Sequence, residues 1–477
     1  MKRLLPFLAL LALAPPAAQC QRASLTAADS ALVRRIILAE DRRDPADSAP
    51  VDGVRHADAR IRMLGHRAAL RIAGQPPTDT NAAFSLPAST VWPEPAWKAD
   101  YRALTSTTGC DRLRAALGAR AWPVRLRAAD LVTAACGGDE ALTRVLRAWV
   151  DSLPTDASAH ARGGVSWHAA AHALVALARA RPLEAHVRVA RLARHGQWQV
   201  RMYAARAARV LSDTSTLRVL ARDANANVQE AAILALAMLG EHAHDAVFLA
   251  ALQGTGAQAV RAAAMALTGS PRADVPAAAN AAFERWVAHA NASERDVRVA
   301  LLRAAGRPAS DDRPPDVVHE LPPDAVALAL GADVRLRVRL ASSVGGGSFV
   351  VRLRGDAAPM MAARIRALVR AHYYDGTDWH RVEPDFVIQG GSAGSNEYVG
   401  AARYLRDELG PLSHRRGTVG MSTRGHDTGD AQWFVNLKDN SRLDRDYTVF
   451  AEVVSGMDVV DDIVEGDTIA TIEEVQP

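Results

Sequence analysis

The stretch YYDGTDWHRVEPDFVIQGG, at residues 373–391, decides the fold of the C-terminal part of this chain. It contains the apolar run Phe386 to Ile388, followed by Gln389 and two glycines, which is typical of a short buried strand that ends in a turn. Three further short apolar runs follow at 417–421, 432–436 and 447–454. Short strands separated by turns, with few helices among them, predict an antiparallel barrel.

Signals of the same fold precede this stretch. Residues 334–340 alternate between apolar and polar side chains, and three glycines at 345–347 separate them from a second apolar run at 349–353, so the two runs predict a β-hairpin. Residues 357–371 have the apolar spacing of an amphipathic helix, with a proline near the first turn. We therefore expect a closed antiparallel β-barrel with capping helices.

Four segments of this region resemble the cyclophilin family of peptidyl-prolyl cis-trans isomerases. They occur in the family's order between about Ser348 and Val475, and the spacing from Met421 through Gln432 to Phe450 fits the family without gaps. The resemblance implies an isomerase that acts on X-Pro bonds of polypeptides and requires no cofactor or metal. The segments are YYDGTDWHRVEPDFVIQGG (373–391), RGTVGMS (416–422), DTGDAQWFVNL (427–437) and LDRDYTVFAEVVSGMDVVDDI (443–463).

The resemblance implies catalytic roles for Arg381 and Gln389. Rotation about a peptide bond crosses a barrier of roughly 18–20 kcal/mol, and the twisted amide leaves the prolyl nitrogen basic. An arginine stays protonated and can donate a hydrogen bond to that nitrogen. Gln389 matches the glutamine that holds the substrate backbone. The residues expected to bind substrate are Phe386, Val387, Ser422, Thr423, Arg424, Gln432, Phe434, Leu443 and Tyr447.

Within that set, the resemblance implies two different functions. Phe386, Phe434 and Leu443 match the walls of an apolar slot for the proline ring. Gln432 matches a second glutamine of the groove, and residues 422–424 fall where backbone groups hold the residue before proline.

Several positions depart from the family pattern. Asp385 replaces a usual glycine and is expected to place a negative charge close to Arg381, and residues 392–406 diverge most from the family's glycine-rich loop. Arg442 occupies the position of a tryptophan that contacts cyclosporin in many members, and Tyr447 replaces a frequent histidine. These departures leave a second function class open, a non-catalytic scaffold or adaptor whose barrel only binds proline-containing peptides.

The region from residue 25 to 309 is apolar at helical spacing. A phrase rich in Val, Arg and Ala recurs with starts at Val200, Val228, Val260 and Val297, roughly 28 to 37 residues apart. The phrase resembles HEAT repeats, in which stacked helical hairpins bury the faces that one hairpin leaves exposed. We expect an all-α HEAT-like solenoid whose concave face binds clients or an envelope protein partner.

A stretch rich in Pro and Asp at 310–329 marks a linker, because each proline interrupts a helix and the apolar period changes from 3.6 to 2 after it. The chain is thus predicted to contain an export signal at 1–20, the solenoid at 25–309, this linker and an isomerase domain at 330–477.

The N-terminus has the pattern of an export signal. Two basic residues precede an apolar run at 4–14 that is too short to span a bilayer. The sequence AAQC at 17–20 resembles a bacterial lipobox, in which Cys20 is lipidated, whereas ordinary cleavage near Ala18 is the alternative. Either outcome places the protein outside the cytoplasm, in the periplasm or tethered to the outer membrane of a bacterial cell envelope.

Composition excludes several classes of protein. The 477 residues are 49% hydrophobic and 23% charged, which rules out wholesale disorder, and no apolar run beyond the N-terminus is long enough for a polytopic membrane protein. The net charge of +4 is not concentrated in a Lys/Arg block with aromatic residues, so no nucleic acid partner is expected. Three cysteines are too few for a disulfide scaffold, and Cys110 and Cys136 are either a disulfide or two buried small side chains.

Overall fold

The computed structural model describes residues 25–75, 89–153, 167–289, 291–312, 319–341 and 346–476. The predicted export signal and Cys20 lie outside these residues, so both stay predictions. Among the helices in these described ranges, none combines the length and the apolar composition that crossing a bilayer requires.

Helices fill the first two thirds of the chain. Within the described residues, α-helices precede the first strand in this order: α1 Ala27–Arg42, α2 Ala49–Val54, α3 Ala59–Ile72, α4 Trp97–Ala103, α5 Cys110–Leu117, α6 Trp122–Asp130, α7 Glu140–Asp151, α8 Trp167–Ala180, α9 Pro182–Leu192, α10 Trp198–Val210, α11 Thr214–Leu220, α12 Ala226–Gly240, α13 Asp245–Ala251, α14 Ala257–Leu267, α15 Val275–Val287, α16 Arg295–Ala304 and α17 Ala325–Ala329.

Helices α6, α8, α10, α12, α14 and α16 pack against one another in sequence and form an inner row, and α7, α9, α11, α13 and α15 each pack against members of this row. The four repeat valines lie near the start of α10, α12, α14 and α16 and are fully or almost fully buried. Small alanine side chains on the same helices let neighbouring backbones approach closely. We call α4–α16 the array.

Cys110 and Cys136 form a disulfide, which settles the alternative that the sequence left open. Cys110 is the first residue of α5, and Cys136 lies in a short 3-10 turn at Ala134–Gly138, between α6 and α7. The bond therefore fixes the first helices of the array to one another.

The C-terminal part is an eight-stranded antiparallel sheet that curls into a half-barrel. Its strand order is β3-β4-β6-β5-β7-β2-β1-β8. We call this sheet, with its two helices, the barrel. The elements are β1 Arg335–Leu340, β2 Ser348–Leu353, α18 Pro359–Arg370, β3 Arg381–Val382, β4 Val387–Gly390, β5 Thr418–Met421, β6 Trp433–Asn436, β7 Val449–Ser455, α19 Met457–Asp461 and β8 Ile469–Val475.

The predicted hairpin and helix are confirmed as β1–β2 and α18. The predicted closure is partial, because β3 and β8 are the two ends of the ladder and do not pair with each other. Asp378 bridges the gap, with one isolated bridge to Ser392 after β4 and another to Thr468 before β8. The barrel is therefore closed by single contacts of the segment before β3 and not by a continuous ladder.

The buried apolar side chains of the described residues form two clusters, and their membership differs from the predicted domains. One cluster holds the array, from Leu104 to Ala304. The other holds the barrel together with α1, α2, α3 and α17. Helices α1–α3, which we expected at the start of the solenoid, thus pack with the barrel, and five residues of the expected linker form the buried helix α17. The predicted domain bounds themselves stay predictions.

The inner row faces the barrel. Each inner-row helix from α8 to α16 makes at least one contact with the C-terminal part of the chain. The surface that we expected to bind clients is therefore partly covered by that part. In helix order the contacts are His168 Nε2 with Glu465 O (2.6 Å), Tyr203 OH to Glu465 Oε2 (3.0 Å), Asn227 Nδ2 to Gly394 O (3.1 Å), the Arg261 guanidinium over the Tyr398 ring (4.1 Å) and Asp296 Oδ2 with Arg424 Nε (2.8 Å).

Candidate active site

Strand pairing places Arg381 beside Gln389. The two residues are directly opposite in the β3–β4 pair, so their side chains point to the same face of the sheet. Arg381 Nη1 donates to Gln389 Oε1 at 3.4 Å. The sheet register therefore brings together the two residues that were predicted to be catalytic.

A chain of side-chain hydrogen bonds holds Gln389 in place. Its Nε2 donates to Ser422 Oγ at 2.9 Å and to Gln432 Oε1 at 3.1 Å, and Gln432 Nε2 donates to the Val399 carbonyl at 3.0 Å. Gln432 is only 1% exposed and does not line the cleft described below. The structure therefore places it behind Gln389, where it orients that side chain, and not in the groove as the sequence suggested.

An apolar slot lies next to this pair. Phe434 is opposite Gly420 in the β5–β6 pair, and its ring lies across that glycine, where a Cβ would come within 2.3 Å of the ring. Tyr447 packs edge-on against Phe434 with ring centroids 5.7 Å apart, and the buried His414 stacks on it at 5.8 Å. The glycine thus allows the Phe434 ring to lie against the sheet, while its neighbours fix its position.

One cleft of about 190 Å³ contains the side chains of both groups. It brings together ten of the eleven predicted catalytic and binding residues in the barrel, and Gln432 is the exception. The cleft is lined by Arg381, Phe386, Val387, Gln389, Glu397, Ser422, Thr423, Arg424, Phe434, Leu443 and Tyr447.

Two glutamates that the sequence analysis did not single out contact Arg381. Glu383 Oε1 accepts from Arg381 Nε at 2.9 Å, and Glu397 Oε1 lies 3.3 Å from Nη1. Alternation along an extended segment places residues 381 and 383 on one side, so Glu383 was accessible to sequence reasoning. Glu397 lies in the divergent loop, where no periodic signal indicates its direction.

Asp385, which we expected to place a negative charge close to Arg381, forms its ion pairs with two other cations. Arg102, from α4, donates to Asp385 Oδ1 at 2.6 Å, and Lys438 Nζ donates to Oδ2 at 3.2 Å. Burial acts to raise the pKa of Asp385, but these two partners outweigh it and hold the pKa below its usual value. Arg442, another departure from the family pattern, stacks on the slot residue Phe386. The distance from its guanidinium carbon to the ring centroid is 4.4 Å.

The array fixes the divergent loop at 392–406. Asn227 of α12 donates to the Gly394 carbonyl, and its Oδ1 accepts from Asn396 Nδ2 at 3.2 Å. Arg424 Nη1 donates to the Glu397 carbonyl at 2.6 Å, while the same guanidinium pairs with Asp296 of α16. The helices therefore help to set where Glu397 lies relative to Arg381.

The histidines near the cleft are either uncharged or within hydrogen-bond distance of neighbouring side chains. Burial, with a contribution from Arg381, lowers the pKa of His380 to about 4, so this ring is uncharged at neutral pH. His172 Nδ1 is 2.6 Å from Asp130 and its Nε2 is 3.1 Å from the hydroxyl of Tyr203. In the part of the chain that the structure describes, no three His, Cys, Asp or Glu side chains are grouped so that they would hold a metal ion.

Comparison with known proteins identifies the family. The family model described as "Cyclophilin type peptidyl-prolyl cis-trans isomerase/CLD" matches residues 337–476. A peptidyl-prolyl cis-trans isomerase of Helicobacter pylori is 32% identical over 130 residues, which cover 26% of this chain and 80% of the relative. The chain belongs to the cyclophilin-type isomerases. A peptidyl-prolyl cis-trans isomerase of Acinetobacter baylyi is 38% identical over 125 residues, covering 24% of this chain and 66% of the relative.

The recognised part of this cyclophilin is its barrel, and the family supports cis-trans isomerisation of X-Pro bonds as the activity of that part. A solved cyclophilin-type isomerase of Cryptosporidium parvum matches with a TM-score of 0.29 and 22% identity, covering 31% of this chain and 99% of that chain. A second structure of that protein, obtained in the presence of the dipeptide Ala-Pro, matches with a TM-score of 0.28.

Proposed function

We propose that this cyclophilin isomerises X-Pro bonds of exported polypeptides, with Arg381 as the hydrogen-bond donor to the prolyl nitrogen and with the array binding the client or an envelope partner. The observation that carries the proposal is the cleft of about 190 Å³, in which Arg381 and Gln389 lie beside the slot formed by Phe386, Phe434 and Leu443. An apolar slot beside a fixed cation suits a proline ring and its nitrogen.

The reaction needs no bond to be made or broken except hydrogen bonds. As the X-Pro amide twists, its nitrogen loses conjugation and becomes an acceptor, and the guanidinium of Arg381 donates to it. Gln389, itself held by Ser422 and Gln432, keeps the guanidinium directed over the slot. This donor is in place before the amide twists, so little reorganisation is needed at the transition state.

The glutamates beside Arg381 do not block this role. The side chains of Arg381, Glu383 and Glu397 are 38%, 49% and 45% exposed. Ion pairs between such exposed groups are worth about 0–1 kcal/mol. A bound substrate can therefore displace one carboxylate from the guanidinium at little cost, while the other keeps the side chain over the cleft.

Export is supported by two independent features. Residues 1–20 have the composition of an export signal, and Cys110 and Cys136 are paired, which is typical of proteins outside the reducing cytoplasm. Lipidation of Cys20 is the anchor that we propose. The Cys20→Ser chain should then leave the membrane fraction of the cell, and membrane association that persists in this variant would contradict the anchor.

The activity itself is tested by exchange NMR on a short Ala-Pro peptide with the native full-length chain. The proposal predicts cis-trans exchange that is accelerated in proportion to the enzyme concentration. Peptide binding without accelerated exchange would contradict the enzyme and favour the adaptor.

A further inference from the structure

A second cleft, of about 420 Å³, opens between the barrel and helices α10 and α12 of the array. We call it the interdomain cleft. Arg381 and Glu397 line both this cleft and the catalytic one, so the two clefts adjoin at this ion pair. A polypeptide that extends from the proline slot past Arg381 would therefore reach the surface of the array.

The wall of the interdomain cleft on α12 is an apolar stripe. Ala231, Leu234, Ala235 and Met238 all line it, and their spacing of three, four and seven residues places them on one face of the helix. Leu234 is 39% exposed and Met238 is 70% exposed. On the neighbouring helix α10, Trp198 and Met202 continue the apolar wall one helical turn apart.

This exposure is unusual for its position in the fold. Most large apolar side chains of the inner row are buried between repeats, as Leu236 and Ile233 on α12 are, and among the described residues of this row only Met265 of α14, at 47%, is comparably exposed. Leu234 and Met238 instead face open space across from the catalytic arginine. A contiguous apolar patch beside a cleft marks a binding surface, and an unbranched methionine adapts to side chains of different shape.

Charge on the cleft walls favours no charged ligand. Arg206 and Arg209 of α10 and Arg381 contribute positive charge, whereas Glu397 and Glu465 contribute negative charge. Burial raises the pKa of Glu230 on α12 to about 7, so this group is only partly ionised at neutral pH. Because charges of both signs line the cleft, we attribute selectivity to the apolar stripe.

We infer that the interdomain cleft is a second substrate subsite, which binds an apolar side chain of the client within a few residues of the X-Pro bond. The inference rests on the proposed function and adds the class of client, namely extended, unfolded segments that carry Leu, Met or Phe close to proline. From Ala231 to Met238 the stripe rises about 10 Å along α12, which corresponds to about three residues of an extended chain.

The test compares two soluble peptides of equal length on the full-length chain. Both contain a central Ala-Pro, and the positions two to four residues from the proline, on both sides, are occupied by leucine in one peptide and by serine in the other. The native chain should show a kcat/KM about tenfold higher for the leucine peptide, because burial of one leucine side chain is worth about a factor of ten.

Met238→Glu and Val219→Glu form a matched pair of variants. Their native side chains are 70% and 69% exposed, but Val219 lies on α11 and does not line the interdomain cleft. The inference predicts that the ratio of the two kcat/KM values falls to near one in Met238→Glu and stays near ten in Val219→Glu. A ratio near one in the native chain, or an equal ratio in both variants, would overturn it.

The serine peptide separates this inference from the proposed function. If the native chain fails to accelerate exchange in the serine and leucine peptides alike, the isomerase proposal fails. The subsite is then judged by affinity alone, and equal binding of the two peptides overturns it. If both peptides are isomerised at equal rates, the isomerase stands and the subsite is wrong.

Discussion

Replacing Glu40 with alanine is expected to loosen α1–α3 from the barrel. Glu40 is 4% exposed, and its two oxygens accept from Arg67 Nε and Nη2 and from Arg71 Nη1. The same arginines donate to backbone carbonyls of the barrel, Arg67 to Asp356 and Arg71 to Leu409. Removal of Glu40 therefore leaves two buried cations without their shared carboxylate.

The size of the effect follows from this geometry. Breaking a buried ion pair by removing one partner costs about 3–5 kcal/mol, and here one carboxylate serves two guanidinium groups, so we expect a value near the upper end. For a cooperative unit of about 200 residues, each kcal/mol lowers the unfolding midpoint by about 2–4 °C. The midpoint of the Glu40→Ala chain should therefore fall by on the order of 10 °C.

The assay is thermal unfolding of the full-length chain, with Asp47→Ala as the control. Asp47 pairs with Arg35 at 2.7 Å and accepts from the Ala49 N–H at 2.9 Å, but the arginine is about half exposed, so the combined loss should cost only about 1 kcal/mol. Burial acts to raise the pKa of Glu40, but Arg67 and Arg71 outweigh it and lower the pKa. This stabilisation is therefore present above the ordinary glutamate pKa and is lost as the pH falls through the lowered value. A midpoint shift no larger than that of Asp47→Ala would refute the reasoning.

Three further outcomes are expected. Phe434→Ala should lower kcat/KM for an Ala-Pro peptide at least tenfold, because it removes a wall of the proline slot, whereas Phe434→Leu should retain most of the activity. Equal activity of the two variants would contradict the role of Phe434 in binding the proline ring. Burial raises the pKa of Glu408 to about 7, so this group stabilises the protein at low pH, and its contribution of on the order of 3 kcal/mol is lost as the pH rises from about 4.5 to 7. The unfolding midpoint, measured from pH 5 to 8, should therefore fall less steeply in Glu408→Gln than in the native chain. Parallel curves for the two proteins would contradict the raised pKa. Reduction of the Cys110–Cys136 bond, which spans 26 residues, should destabilise the start of the array by about 3 kcal/mol. The loss should be measurable as faster proteolysis of the native chain under reductant. A Cys110→Ser chain that resists proteolysis as well as the native oxidised chain would contradict this.

Local pattern was sufficient to predict most of the barrel. Alternation at 334–340 and the glycine-bounded runs predicted β1, β2 and the strands that hold the site, because a sheet with one buried face imposes a period of two on the sequence. The last strand, β8, was not assigned, since its two consecutive glutamates, Glu473 and Glu474, break that period. Its pairing with β1 comes from the tertiary fold and not from its own sequence.

The site was predictable where the family motif extends and not where the array intervenes. Arg381 and Gln389 were predicted, and the β3–β4 register explains why their side chains lie together. The contact of Asn227 with Asn396 joins residues 169 positions apart, and no local signal in the sequence indicates such a pairing. The same limit applies to Asp385, whose carboxylate pairs with Arg102 of α4, 283 positions away in the sequence.

The most direct test of the account is the turnover of an Ala-Pro peptide by Arg381→Ala, with Arg381→Lys beside it. Loss of a preorganised donor at the transition state costs about 10²–10³ in kcat, so we predict a fall of at least 100-fold in Arg381→Ala while peptide affinity changes less than tenfold. Arg381→Lys keeps the charge and should recover part of the rate. A fall in kcat of less than about threefold in Arg381→Ala would contradict the assignment of Arg381 as the donor to the prolyl nitrogen.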